Sequence, residues 1–293
     1  MRLLRTLRTH RPTFLADGSI DLYAPTSWQK MTQRQLRYVL TLLSLFEDLT
    51  MVKTYMLVRL TGIHIEGYTV RTSHDEPKQY RCWFRPAWWK PRRWFSLETW
   101  QVQSFIRQFD FIDPFDGMDV RLERIHGCRA VDDILDHYPF GDYLMAEQYY
   151  QLAVSSGKAE MIEKLATYLY TRKKLYIKRW ILLGLVPIFG TREVHPTRLS
   201  LSPAEQMGTL RWFAHVKAFF AERWTYFFRK VDADIEELDI DLMGAMDAQI
   251  RALTEGDITK EETIKALPCW RALTELNEKA REAKEFHEKY DRT

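Results

Sequence analysis

The sequence predicts a mainly α-helical, multi-helix bundle-like protein with a small β-hairpin element in its N-terminal half. Apolar residues recur at helical spacing through most of the chain, and helix-capping residues precede several of these segments. Residues 63–84 instead are rich in β-branched and aromatic residues, which is typical of strands. With 293 residues and 46% hydrophobic content, the chain can bury a substantial core.

Composition shifts divide the chain into three stretches, although the last two can form one continuous domain. They are a basic N-terminal arm, an α+β half and a helical half, at residues 1–24, 25–141 and 142–293. In the arm, an Asp-Gly turn at residues 17–18 precedes a short strand.

The α+β half begins with two helices. Thr32 and Gln35 have the spacing of a capping box, and apolar residues then recur at helical spacing as far as Phe46. Residues 51–61 form the second helix, and Gly62 ends it because glycine tolerates the left-handed conformation common after a helix.

Two short strands, IHIEGYTV and QYRCWF, follow these helices and suggest a hairpin. Pro86 and Pro91 then bracket a loop, and Ser96 is placed to cap a third helix. The turn-rich segment up to residue 141 is interpreted as a long ordered connection.

The helical half opens with an αα-hairpin, in which helices at residues 142–155 and 159–171 are separated by Ser-Ser-Gly. Residues 173–200 fit neither a helix nor a strand clearly. Ser202, with Pro203 and Glu205 behind it, marks the start of a helix over residues 204–231. The remaining predicted helices are an acidic one from Asp232 to about Leu253 and a last pair that begins at Lys260 and at Trp270.

The global charge argues against a polyanion partner, because 43 basic residues against 40 acidic ones leave a net charge of only +3. Three widely spaced cysteines suit free thiols in a reducing compartment. The most apolar run, residues 181–189, is too short for a membrane helix. We therefore expect a soluble cytoplasmic protein without a membrane partner.

One candidate site is the stretch RCWFRPAWWKPRRWFSL at residues 81–97. Arginine and lysine could contact phosphates while tryptophans stack on bases, which would make it a nucleic-acid site. The alternative, which we favour, is a packed corner where Trp83, Trp94 and Trp100 are core anchors with arginines over their rings. Trp83 and Trp94 are predicted to be buried. The candidate basic-aromatic loop comprises Arg85, Trp88, Trp89, Lys90, Arg92 and Arg93, with Arg81 as a further phosphate contact.

A second candidate site is the aromatic helix at residues 204–231. Its aromatic residues exceed one helical stripe, so the helix is either nearly surrounded by protein or offers a face to a partner or to a second copy. The candidate partner-binding residues are Trp212, Phe213, Phe219, Phe220, Trp224 and Phe227.

We predict no catalytic, cofactor-binding or metal site. The acidic run DADIEELDIDL does not have the glycine and the final carboxylate of a calcium-binding loop at the required positions. Nucleophile elbows, glycine-rich phosphate loops and zinc-binding histidine pairs are not found in the sequence. These observations favour a non-enzymatic protein.

Several segments together resemble a family of proteins encoded in prophages of Bacteroidales. They are PTSWQKMTQRQLRYV, LVRLTGI, YRCWF, WFSLETWQVQSFIRQFDFI, FGDYLMAEQYYQLAVSSGKAEMIEKLATYLY and the C-terminal MDAQIRALTEGDITKEETIKALPCWRALTELNEKAREAKEF. The resemblance covers most of the chain from Trp28 onward. This family is known by its position among tail genes, near the tape-measure gene, where phages commonly encode tail assembly chaperones.

The resemblance implies a role in phage tail morphogenesis. The expected function is an assembly chaperone or adaptor that binds the tape measure, or another tail protein, through hydrophobic helix contacts along residues 204–231. One alternative is a structural virion component, such as a tail completion or connector protein, which would remain in the particle. The other is a nucleic-acid-binding protein that uses the loop at residues 81–94.

Overall fold

The computed structural model describes residues 12–14, 20–69, 79–87, 89–181, 185–228 and 242–290. The described chain is mainly α-helical, as predicted, but it holds more β-structure than one hairpin. It divides into two compact units between Val120 and Arg121, ahead of the boundary predicted at residue 141. Most of the predicted basic arm lies outside the described residues.

The first unit contains helices and two separate sheets. In chain order its elements are β1 (Thr13–Phe14), β2 (Ile20–Asp21), α1 (Gln33–Leu45), α2 (Leu49–Thr61), β3 (His64–Thr69), β4 (Gln79–Phe84), β5 (Arg93–Glu98) and α3 (Thr99–Arg107). Strands β1 and β2 pair with each other, and β3, β4 and β5 form an antiparallel sheet in that order.

The predicted start of α1 and end of α2 are confirmed. The backbone N–H of Thr32 donates to Gln35 Oε1 at 2.8 Å, and the Gln35 N–H donates to Thr32 Oγ1 at 3.3 Å. Gly62 ends α2 with a φ of +77° and donates its N–H to the carbonyl of Val58. Local side-chain chemistry thus fixes both helix boundaries.

The segment after Pro91 differs from the prediction. Residues expected to form a loop and a helix start are strand β5, which pairs along its whole length with β4. The N-cap residue of α3 is Glu98 rather than Ser96, and its N–H donates to Gln101 Oε1 at 2.8 Å. The predicted hairpin is therefore the first two strands of a three-stranded sheet.

Among the described residues, the core of the first unit includes one charged side chain. Lys53 on α2 is only 7% exposed, and its ammonium donates to carboxylate oxygens of Asp110 at 2.6 Å and Asp113 at 2.8 Å. Burial alone lowers the pKa of Lys53, but the two hydrogen-bonded carboxylates outweigh it and raise the pKa. The cation is therefore retained beside a core of aliphatic residues such as Val52, Met56 and Leu57.

The second unit is a helical assembly with one sheet. Its elements are β6 (Arg124–Ile125), β7 (Cys128–Ala130), α4 (Phe140–Ser156), α5 (Ala159–Leu169), β8 (Tyr170–Ile181), β9 (Leu185–Val194), α6 (Pro203–Arg223), α7 (Leu242–Thr254), α8 (Glu261–Lys265) and α9 (Cys269–Tyr290). Strands β6 to β9 form an antiparallel sheet in sequence order. The segment that fitted neither pattern in sequence is thus the long β8–β9 hairpin.

Helices α4 and α5 confirm the predicted αα-hairpin, which turns at Gly157 with a φ of +64°. The predicted helix at residues 204–231 is too long, because α6 ends at Arg223. The chain turns there as the Trp224 ring packs edge-on against Trp270 and donates its indole N–H to Thr274 Oγ1 at 3.2 Å. The predicted start at Asp232 of the next helix lies outside the described residues.

Within the described ranges, no helix combines the length and the apolar character that crossing a membrane requires.

Candidate functional site

Strand β4 directs its side chains alternately to two sides of the sheet. Cys82 and Phe84 point to the inner side, where they are 0% and 1% exposed, and Leu97 of β5 is buried at 2%. Because successive strand residues face opposite sides, Arg81 and Trp83 lie on the outer side.

Three rings form a row across this outer side. The strand register places His64 of β3 opposite Trp83 of β4, and Trp83 opposite Trp94 of β5. The rings of His64 and Trp83 stack with centroids 4.0 Å apart and planes 11° apart. The centroids of Trp83 and Trp94 are 6.3 Å apart. Such cross-strand pairs each stabilise a sheet by roughly 0.2–1 kcal/mol.

Two arginines lie over the indole rings. The guanidinium carbon of Arg81 is 4.4 Å from the centroid of Trp94, and that of Arg92 is 4.2 Å from the centroid of Trp83. Since β3 and β5 flank β4, the Trp83 ring lies between an imidazole and a guanidinium. We refer to this set as the Trp–Arg face, which consists of His64, Arg81, Trp83, Arg92 and Trp94.

The Trp–Arg face is accessible to solvent. Trp94 is 40% exposed, the two arginines and His64 are exposed, and Trp83 is half-buried. A Cβ atom at Gly67, which pairs with Arg81, would contact nothing within 4 Å, so the surface beside the face is open. Residues 79–98 hold five basic residues and one acidic residue, a strong local bias in a chain whose net charge is +3.

The predicted basic-aromatic loop supplies only part of this surface. Arg92 belongs to the Trp–Arg face, and Arg93 is the first residue of β5. Trp89 is 66% exposed, and Arg85 and Lys90 beside it are also exposed. The remaining loop residue, Trp88, lies outside the described residues.

The prediction of buried tryptophans in this region is wrong for two of the three. Trp94 is 40% exposed because strand alternation directs it outward, and Trp100 is 60% exposed on the first turn of α3. Trp100 donates its indole N–H to the Glu98 carboxylate. Trp83 is half-buried between its neighbours. The expectation that arginines lie over the rings is confirmed at Trp83 and Trp94.

The candidate partner surface on the aromatic helix is also corrected. Four of its residues are in the core, each with at most 3% exposure: Trp212, Phe213, Phe220 and Trp224. The other two, Phe219 and Phe227, are half-buried.

The core position of α6 has a clear cause. Its rings pack against aromatic residues of other helices, with Tyr143 of α4 centred 5.5 Å from Phe220 and Trp270 of α9 centred 5.9 Å from Phe219. The indole N–H of Trp212 donates to the carbonyl of Asp133 at 3.1 Å. The excess of aromatic residues on α6 therefore fills the interior of the second unit.

Three thiols lie in the interior, all of them free and buried: Cys82, Cys128 and Cys269. Burial raises the pKa of Cys82 to about 11 and that of Cys269 well above its ordinary value. These two thiols therefore stay protonated at neutral pH and are poor nucleophiles. In the part of the chain that the structure describes, no group of three or more His, Cys, Asp or Glu side chains is placed to hold a metal ion.

No protein-family model, curated protein or solved structure matches this chain. The function is therefore inferred from the chemistry of the Trp–Arg face. Its rings can bury apolar side chains, and its guanidinium groups can donate hydrogen bonds to carboxylates, carbonyl oxygens or phosphates. This combination suits the binding of another macromolecule.

Proposed function

We propose that this chain is a non-enzymatic assembly chaperone or adaptor of phage tail morphogenesis, and that it binds its client on the Trp–Arg face. The tail role rests on the resemblance of the sequence to prophage proteins encoded among tail genes. The row of the His64, Trp83 and Trp94 rings on an exposed sheet is the observation that carries the location of the binding surface.

The chemistry of the face favours a protein client. Tryptophan and arginine are the residues most enriched among those that dominate binding energy at protein interfaces. Arg81 and Arg92 already rest against the rings, so little side-chain entropy remains to be lost on binding. The client is the tape measure or another tail protein, and its apolar side chains pack against the exposed Trp94 until assembly displaces the chaperone.

Single-stranded nucleic acid is the second candidate. Trp89, at 66% exposure beside Lys90, is the observation that favours it, because an exposed indole next to a cation can stack on a base. Against it, the Trp83 ring is already covered by His64 and Arg92, so this ring offers no open slot for a base. Nucleic-acid binding would weaken steeply as salt rises, whereas client binding through apolar contacts would weaken little.

Co-expression with the neighbouring tape-measure protein tests the proposal. The tape measure should become more soluble and should co-purify with this chain. A tape measure that is equally soluble with and without this chain, and does not co-purify, would remove the chaperone function. Mass spectrometry of purified particles then separates the alternatives, because a chaperone is missing from the virion and a connector or completion protein is present at fixed stoichiometry.

A further inference from the structure

The second unit contains a strongly basic cavity of about 630 Å³. Its lining comes from the β6–β7 turn, from the start of β8 and from the segment after β9. The basic residues that line it are His126, Arg172, Lys173, Lys174, His195 and Arg198. Among the described residues, no aspartate or glutamate lines this cavity.

Strand β8 concentrates these charges. Arg172 and Lys174 are two residues apart, so both lie on the same side of the strand. The register also pairs Arg124 of β6 with Arg129 of β7. Like charges in directly opposed positions destabilise a sheet, so this pair favours the binding of an anion.

A second cavity extends the basic region. It measures about 500 Å³, includes Arg172 and Lys173 in its lining, and also contacts Arg124 and Arg129. The one acidic residue among its described lining residues is Glu193, which pairs in register with Lys173. Cations of the same strand therefore line both cavities.

The nearby carboxylates have other partners. Asp142 lies 3.3 Å from His195 Nε2, and Glu205 accepts from the Ser202 hydroxyl at 2.8 Å as well as lying 3.5 Å from His126. Glu160 pairs with Lys164 at 3.0 Å, and this contact lowers the pKa of its carboxyl group more than the charge of Arg198 does. Within the described chain, no carboxylate lies within ion-pair distance of Arg172, Lys173 or Lys174.

We propose that this cavity is a binding site for phosphate groups. Arg172 and Lys174 supply the principal charges, and Arg198 contributes from the segment after β9, where Thr197 and Ser200 add hydroxyl donors. Arginine matches the geometry of a phosphate with two parallel hydrogen bonds, and lysine adds a compact charge. The phosphates belong either to a free polyphosphorylated ligand or to a nucleic-acid backbone.

Titration calorimetry on the full chain tests this site with two probes. One is inorganic tripolyphosphate, and the other is an oligothymidylate of about twelve nucleotides. The double variant Arg172→Gln, Lys174→Gln should bind tripolyphosphate about tenfold more weakly or worse. The matched control is Arg281→Gln, Lys284→Gln on α9, which also removes one arginine and one lysine, here paired with Glu278 and Glu288, and should leave tripolyphosphate binding unchanged.

The two probes distinguish a free phosphorylated ligand from a nucleic-acid backbone. Tripolyphosphate binding alone identifies a free phosphorylated ligand, whereas oligonucleotide binding that also depends on Arg172 and Lys174 identifies a nucleic-acid backbone. If neither probe binds, or if both double variants lose equal affinity for tripolyphosphate, the proposal is overturned. Thermal melting checks that each variant folds. Arg198→Gln tests tripolyphosphate binding at a cavity residue outside β8. Client binding on the Trp–Arg face does not enter these measurements.

Discussion

Trp83 and Trp94 lie directly opposite one another on neighbouring antiparallel strands, with ring centroids 6.3 Å apart, and neither is fully buried. Full burial of a large apolar side chain stabilises a protein by about 1.5–3 kcal/mol, and a ring that stays in water does not make this contribution. Contiguous exposed apolar surface more often marks an interaction site. The arginines over both rings add guanidinium charge to this apolar surface.

The stack of His64 on Trp83 should appear as an energetic coupling. In a double-mutant cycle with His64→Ala and Trp83→Ala, urea unfolding should give a coupling free energy of about 0.5–1 kcal/mol. The same cycle between His64 and Leu45, which is 68% exposed on α1 of the same unit, serves as the control and should give none. A coupling near zero for His64 and Trp83 would contradict the stacked geometry.

Phe213 should behave as a core residue rather than as a partner contact. Because its side chain is 1% exposed, Phe213→Ala should lower the free energy of unfolding by roughly 3–5 kcal/mol. Phe286→Ala, at a position 58% exposed, should change it by less than about 0.5 kcal/mol. Chemical denaturation of both variants checks this, and an unchanged unfolding midpoint for Phe213→Ala would be inconsistent with the structure.

His195 should make stability depend on pH. Its Nδ1 faces the carbonyl of Thr167 at 3.0 Å and its Nε2 faces the Asp142 carboxylate at 3.3 Å, so both ring nitrogens face acceptors, which favours the protonated ring. The hydrogen bond to Asp142 raises the pKa of His195 above the ordinary 6.5. A raised folded-state pKa stabilises below the unfolded pKa, and this stabilisation disappears as pH rises through the folded value.

The loss of stability in His195→Gln should therefore be larger at about pH 6 than at about pH 9, measured by urea unfolding. His137→Gln is the control, because its side chain is 89% exposed beside Asp136. A difference between wild type and His195→Gln that grows toward alkaline pH would reverse the predicted sign.

The buried thiols should react only when the protein opens. With the pKa of Cys82 at about 11, almost no thiolate is present at neutral pH, and the side chain is 0% exposed. Alkylation by iodoacetamide, followed by mass spectrometry, should find Cys82 and Cys269 unmodified in native protein and modified in denaturant. Rapid native labelling of Cys82 would show that the inner side of the sheet is open.

Local signals were sufficient to predict most helices. Thr32 with Gln35, Gly62 and Ser202 with Glu205 each specify a helix end through hydrogen bonds within a few residues, and the structure contains all of them. The β8–β9 hairpin could not be predicted this way. Its strands combine a basic start with an apolar run, and only pairing between distant residues decides their conformation.

Strand alternation is sufficient to predict which way the tryptophans point, but our prediction placed them in the core. Once Cys82 and Phe84 are assigned to the core, strand alternation places Trp83 outside, and the same rule applied to β5 exposes Trp94. The two prolines around residues 86–91 suggested that the strand pattern stopped there. His64, which stacks on Trp83, lies on a different strand, so no local pattern in the sequence predicts the stack.

The affinity of the purified chain for its client tests the central claim most directly. The account predicts that Trp94→Ala weakens binding to the tape-measure protein by at least about tenfold, because a tryptophan at an interface centre often contributes 2 kcal/mol or more. Phe286→Ala, which removes a similarly exposed ring from the second unit, should bind as the wild type does. Equal affinity of Trp94→Ala and wild type, with both proteins folded, would show that the Trp–Arg face is not the client site.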